Sequence, residues 1–316
     1  MRAVVTQDGE LVLRDLPTPE PHGEQVLVET AGAGINRADL LQRRGAYPAP
    51  PGWPADILGL ELSGTVAATG DAVTRFREGD RVFGIVGGGA HASHVLTTED
   101  LLVPVPDGFD LVAAGGVPEA FITAHDALVT RAGLRSGERV LINGVGSGVG
   151  TAAVQLCKAL GATSVGTSRT PRKLERSKAL GLDQGVLASE GMAGEIGEVD
   201  VVLELLGGSY LSLDLEVARP KARIVLVGLI AGASEQIDLS LVLRKRLDVG
   251  GTVLRSRPHF EKAAATDAFA RQILPLMAAG RLEPVVDEVI PLEEATAAYD
   301  LVASNQTFGK VVLKAG

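Results

Sequence analysis

The chain has 316 residues, 46% hydrophobic and 22% charged, longer than the ~250–300 residues at which a single core stops growing, so two packed α/β-type domains are expected. A formal net charge of −9 argues against a broad nucleic-acid surface, which needs clustered positive charge. One cysteine, Cys157, excludes an intramolecular disulfide and any thiolate-rich metal site and fits a cytoplasmic location.

The first segment, "MRAVVTQDGELVLRDLP", alternates as a half-buried strand does and lacks the continuous apolar run of a signal peptide. No later segment offers the 18 or so uncharged apolar residues that a membrane span requires, so no membrane association is expected. Short runs follow between Gly and Pro, among them "EQVLVETAGAGI", "LSGTVAAT" and "DRVFGIV"; they read as strands joined by turns and give a β-rich domain over residues 1–117. From 118 to 263 the apolar strands "ERVLIN", "ATSVGTS", "DQGVLA", "VDVVLELL", "ARIVLVGL" and "DVGGTVL" alternate with helical patterns, as in a doubly wound parallel sheet. A helix over "HFEKAAATDAFARQILPLMAAG" comes next, and the closing strand "KVVLKA" has no place in that sheet. Residues 264–316 are therefore expected to return to the first domain.

"RVLINGVGSGVGTAAVQLCKALG" reads as strand, glycine turn, helix. In that setting a pyrophosphate approaches the backbone of Gly146, Ser147, Gly148, Val149 and Gly150 at a helix N-terminus, where free N–H groups and the helix dipole favour anions. Because Gly144, Gly146, Gly148 and Gly150 fall at every second position, the strict G-x-G-x-x-G spacing is missed. A glycine turn that merely lets the helix pack on the sheet remains the alternative.

Eighteen residues beyond Gly150, at the end of the next strand, stands Ser168, followed by Arg169, Arg172 and Lys173. NAD-binding folds place a carboxylate there for the adenine ribose. This chain offers a hydroxyl and cations instead, which fits the 2′-phosphate of NADPH, with Ser168, Arg169 and Lys173 as its ligands; a solvated helix face is the alternative. Gly207, Gly208 and Gly228 lie where parallel strands end, the edge at which such folds bind ligands.

Taken together, "INRADLLQRRGAYPAPPG", "ILGLELSG", "PEAFITAHDAL", "GVGSGVGTAAVQL", "LGGSY" and "LRSR" resemble the zinc-free quinone oxidoreductases of the medium-chain dehydrogenase/reductase superfamily, most nearly the p53-inducible type. The resemblance runs over nearly the whole chain and implies a GroES-like catalytic domain and a Rossmann cofactor domain. Zinc dehydrogenases of that superfamily bind metal through a Cys, a His in "GHE" and a second Cys or acidic residue. The corresponding places here hold Asn36 or Arg37, Leu60, and Pro118–Glu119. Leu60 cannot ligate zinc, and no metal is expected. His91 and His94 in "HASH" are read as rim or surface residues pointing to opposite faces of a strand.

The resemblance implies that Asn36 and Tyr47 face the nicotinamide end of a cleft, where an amide and a phenol can hydrogen-bond a quinone oxygen. A helix cap is the alternative for Asn36, and simple packing for Tyr47. Thr123 resembles the position that meets the nicotinamide, or is a helix-interior Thr bonding its own backbone. Arg255 and Arg257 close over cofactor or substrate, or form surface ion pairs. Where the family commonly carries an adenosine-phosphate Tyr, this chain has Ala188, which weakens that clamp. The edge strand Asp248–Leu254 implies a homodimer.

Without a metal, a quinone is the fitting acceptor, because its reduced anion is resonance-stabilised. An α,β-unsaturated carbonyl comes next. An NADPH-binding sensor or RNA-binding protein with little turnover is the reading from another class.

Overall fold

The computed structural model describes all 316 residues. Two compact units divide the chain: residues 1–122 with 254–316, and residues 123–253. Residues 118–122 and 254–263 thus group with the first unit, although the sequence places them with the cofactor domain.

The first unit opens with β1 (Arg2–Gln7) and β2 (Glu10–Asp15), an antiparallel hairpin. The single alternating strand expected over this segment is therefore two. Asp8 and Gly9 form the two-residue loop with φ of 51° and 81°, the backbone that an Asp-Gly hairpin turn supplies without steric cost. The same unit holds β3 (Gln25–Gly34), α1 (Arg37–Arg43), β4 (Glu61–Thr69), β5 (Arg81–Ile85), β6 (His94–Thr98) and β7 (Leu102–Pro104). The boundary falls within α2 (Pro118–His125), which runs on into a π-helical turn at Asp126–Arg131.

In the second unit follow β8 (Arg139–Asn143), α3 (Gly148–Leu160), β9 (Thr163–Ser168), α4 (Pro171–Leu180), β10 (Gln184–Leu187) and α5 (Ala193–Ile196). It ends with β11 (Val199–Glu204), α6 (Tyr210–Val217), β12 (Ala218–Leu226), α7 (Leu239–Lys245) and β13 (Asp248–Gly251). Its six strands are all parallel, in the order β10-β9-β8-β11-β12-β13. The sheet starts in the middle and winds outward both ways, so the first crossover reverses beside β8 and leaves a crevice at the strands' carboxyl ends. Leu141, Val165, Val186, Val202 and Ile224 fill its core, the aliphatic packing expected of a chain with few aromatics.

The chain then returns to the first unit as α8 (His259–Gln272), α9 (Leu274–Ala278), β14 (Val286–Pro291), α10 (Ala295–Ala303) and β15 (Lys310–Lys314). The one helix expected over 259–280 is two, with Pro275 at the start of the second. β15 lies between β14 and β3 in a sheet that continues through β4 and β5 to β7, while β6 pairs with β3. That pairing carries Lys310 to the floor of the first unit beside Glu61. The architecture is α/β: a unit built on a seven-stranded, mostly antiparallel sheet and a unit built on a doubly wound six-stranded parallel sheet.

Candidate active site

Within the second unit, the crevice edge is built by the turn between β8 and α3. Ser147 stands at the N-cap of α3; its Oγ accepts from the Gly150 N–H at 3.1 Å and donates to the Gly144 carbonyl at 2.9 Å. This holds the turn while the N–H groups of Gly146, Gly148 and Val149 make no hydrogen bond within the chain. Unpaired N–H groups at the start of a 13-residue helix fit a pyrophosphate. A Cβ on Gly146 would lie 2.7 Å from Lys173 Cδ, so the glycine makes room for the lysine stem. Gly150 answers instead to packing, since a Cβ there would meet the Val145 carbonyl at 2.6 Å. Both glycines thus make room for neighbouring atoms of the chain, Gly146 for a side chain and Gly150 for the backbone.

Ser168 ends β9 nearly buried, its Oγ accepting the Thr170 N–H at 3.2 Å, and Arg169 and Arg172 beside it are exposed. Lys173, half-buried, joins the basic segment to the glycine turn through its contact with Gly146. Gly207 adopts φ 70°, and a Cβ on Gly228 would meet the Leu205 carbonyl at 2.3 Å. Thr123 is buried on α2.

Sequence reasoning missed the polar network beneath this edge. Asn143 Nδ2 donates to Glu204 Oε2 at 2.5 Å and Asp214 Oδ1 at 2.8 Å, and Asn143 Oδ1 accepts from Thr167 Oγ1 at 2.9 Å. Glu204 Oε1 in turn accepts the backbone N–H groups of Leu206 and Gly207, so a buried carboxylate shapes the loop that carries Gly207. Burial, and then Glu204, push the Asp214 carboxyl well above its usual range. The available signal was an Asn and a Glu, each closing an apolar run of three residues in "RVLIN" and "VDVVLE". Polar groups buried there need partners.

In the first unit, Glu61 at the start of β4 is fully buried. Its Oε1 pairs with Lys310 Nζ at 2.6 Å and accepts from Asn36 Nδ2 at 2.9 Å, and its Oε2 accepts the Glu119 N–H at 2.8 Å. Lys310 also donates to the Ile35 carbonyl at 2.8 Å and to Asn36 Oδ1 at 2.6 Å. Asn36, at the N-cap position of α1, thus has protein partners at both ends of its amide, so it braces the ion pair. The amide expected to meet a quinone oxygen is already occupied.

Tyr47 lies in the loop after α1, half-buried, with its hydroxyl paired to the Ser256 side chain and its phenol pKa raised by burial. Arg255 was expected to close over cofactor or substrate. It is buried, and its guanidinium donates to the Gly87 carbonyl at 2.9 Å, the Tyr47 carbonyl at 2.9 Å and Gln42 Oε1 at 2.5 Å. It also stacks 5.1 Å from the Tyr47 ring centroid. Three of its five N–H groups are taken up inside the first unit, and the residue fixes the Tyr47 loop.

His91 is not a rim residue: it is fully buried, outside any strand, with Nε2 at 3.3 Å from the Gly34 carbonyl and Nδ1 at 2.9 Å from the Tyr299 hydroxyl. Burial lowers its pKa and keeps it neutral. The strand begins only at His94, so the alternation argument did not apply. Leu60 is buried in the core, and no group of three or more His, Cys, Asp or Glu is arranged to hold a metal ion.

A family model for the alcohol dehydrogenase GroES-like domain matches residues 22–107, and one described as zinc-binding dehydrogenase matches 148–269. The latter stretch contains a single Cys and a single His, so its description brings no ligand set. The quinone oxidoreductase of Sus scrofa is 30% identical over 314 residues, covering 95% of this chain and 92% of that protein. The chain belongs to the quinone oxidoreductase family. It is a member of the medium-chain dehydrogenase/reductase superfamily.

An alcohol dehydrogenase superfamily protein from Novosphingobium aromaticivorans superposes with a TM-score of 0.90 at 32% identity, covering 100% of both chains. The CurK enoyl reductase superposes with a TM-score of 0.86 at 27% identity, over 100% of this chain and 99% of that one. The family member also matches the spectinabilin polyketide synthase system protein NorB of Streptomyces orinoci at 35% identity over 92% of its own length, but spans only 13% of that protein.

Proposed function

We propose that this family member is an NADPH-dependent reductase of quinones that uses neither metal nor flavin, nearest to the p53-inducible type by the motifs quoted above and working in the cytoplasm. The observation that carries the acceptor class is the Lys310–Glu61–Asn36 cluster. Where zinc members hold ligands, this chain has Asn36 or Arg37, a leucine and the Pro118–Glu119 stretch, and the cation beside Asn36 is an ammonium held by Glu61, Asn36 and the Ile35 carbonyl. That ammonium has three N–H groups and three acceptors, so it cannot also bind the oxygen of a substrate. An acceptor whose reduced form spreads its own charge needs no such electrophile, and binding with orientation supplies the rest.

NADPH, when bound, supplies the hydride. The free N–H groups at the start of α3 would hold its pyrophosphate, and Ser168, Arg169 and Lys173 its 2′-phosphate. Thr123 would border the nicotinamide in the second unit, and in the first unit Tyr47, oriented by Arg255, would offer its phenol to an acceptor oxygen. An enone acceptor is the second reading, favoured by the likeness to the CurK enoyl reductase. The test is NADPH oxidation by chelator-treated protein with an ortho-quinone or a simple enone, and NADH as the control. Quinone turnover that prefers NADPH is expected; turnover of the enone alone overturns the quinone reading, and no turnover with tight NADPH binding favours the sensor reading.

The reading includes a homodimer through β13. That strand ends its sheet with one side unpaired. Nearby in sequence Leu239, Leu243 and Val253 are 70%, 78% and 50% exposed, apolar surface that an edge-to-edge partner would cover. Light scattering at micromolar concentration is expected to give twice 32.7 kDa; a monomer mass overturns the dimer.

A further inference from the structure

We propose that Glu119 is the proton donor to the reduced acceptor, a role that rests on the acceptor reduction proposed above. Three buried or half-buried acids meet in the first unit, and two of them are fixed. Glu61 has both oxygens engaged, by Lys310 and Asn36 on one side and by the Glu119 N–H on the other. Asp39, fully buried, accepts the backbone N–H groups of Asn36 at 2.7 Å and Gly59 at 3.0 Å. Lys310 has no N–H left to give. Glu119 alone among the three acids keeps partial exposure, and it lies in the first turn of α2, one helical turn before Thr123, so the two share a helix face.

The groups that face Glu119 are Glu61 from β4, Lys310 from β15, Asp39 from α1, Tyr47 from the loop after α1, Arg255 from the segment before α8, and Lys262 from α8. Burial first, then the Glu61 charge, push its pKa up to about 8, against the lowering effect of Lys310 and Arg255. At neutral pH the side chain is therefore a neutral acid, tuned to the range in which proton transfer is effective. Hydride delivery leaves an oxyanion on the acceptor. The O–H bond of Glu119 breaks as the O–H bond of the product forms, and the negative charge passes to Glu119. Repulsion from Glu61 then favours recapture of a proton from water, so each turnover consumes one hydride and one solvent proton.

Glu119→Gln keeps the size of the side chain and removes the acid, while Glu119→Asp keeps an acid. In protein without cofactor, the 13C carboxyl resonance lost in E119Q is expected to titrate near pH 8. With quinone acceptor, wild-type kcat is expected to fall as pH rises through that value, because the acid is lost there. E119Q should lower kcat by roughly a hundredfold, remove that alkaline limb, and leave NADPH affinity by fluorescence unchanged; E119D should restore part of the rate and the limb. An E119Q enzyme with wild-type kcat and pH profile, or a carboxyl that titrates in the ordinary glutamate range, overturns the role. Wild-type protein that reduces neither quinone nor enone removes the reaction itself, an outcome distinct from an active enzyme indifferent to E119Q.

Discussion

Ser168→Asp is expected to weaken NADPH binding by ten- to a hundredfold or more, while NADH binding holds or improves. The backbone tolerates the change, because Ser168 Oγ accepts the Thr170 N–H at 3.2 Å and an aspartate oxygen can accept the same bond. What changes is the charge presented to the ribose. A carboxylate at the end of β9 suits a 2′-hydroxyl and repels a 2′-phosphate. Arg169→Ala should act in the same direction by removing one charge-assisted bond, worth ~1.5–3 kcal/mol, or about a ten- to hundredfold change in Kd. Fluorescence titration with both dinucleotides, and competition by 2′-AMP, checks this without turnover. Equal losses for NADPH and NADH would mean that the substitution disturbs the turn rather than phosphate recognition.

The Rossmann unit was legible because each strand there is a short apolar run bounded by turn signals, and a strand read at 138–143 or 199–206 lands within a residue or two of β8 and β11. The opening hairpin was misread because period-2 alternation continues through Asp8–Gly9, where only the dipeptide itself marks the reversal. The site divides along the same line. The turn between β8 and α3, with its glycines at 144, 146, 148 and 150, was readable as strand, turn and helix from local pattern. The contacts that decide the first unit join Asn36, Glu61, Glu119 and Lys310, separated by up to 274 positions, and no local pattern brings β15 beside α1. The resemblance pointed to Asn36 or Arg37, Leu60 and Pro118–Glu119 as the altered metal positions, but Lys310 was not singled out at all. Arg255 shows the converse: an arginine in a suggestive motif is drawn inward by three acceptors that only the folded chain assembles.

Lys310→Met should be the most damaging single change to the first unit. Glu61 is 0% exposed and Lys310 5%. Removing the ammonium strands a carboxylate that keeps only the Asn36 amide and the Glu119 N–H, and breaking such a buried pair costs about 3–5 kcal/mol. At roughly 2–4 °C per kcal/mol, Tm of the first unit should fall on the order of 10 °C. Glu61→Gln added to Lys310→Met removes the stranded charge while a carboxamide oxygen still accepts from Asn36 or Glu119, so the double variant should recover much of the loss; a double-mutant cycle measures the coupling. The pair also sets Glu119. Lys310 lowers its pKa and Glu61 raises it, so the titration near pH 8 should move upward in Lys310→Met and downward in Glu61→Gln. Additive losses in Tm, with no movement of the Glu119 titration in either variant, would break the link between the ion pair and the acid.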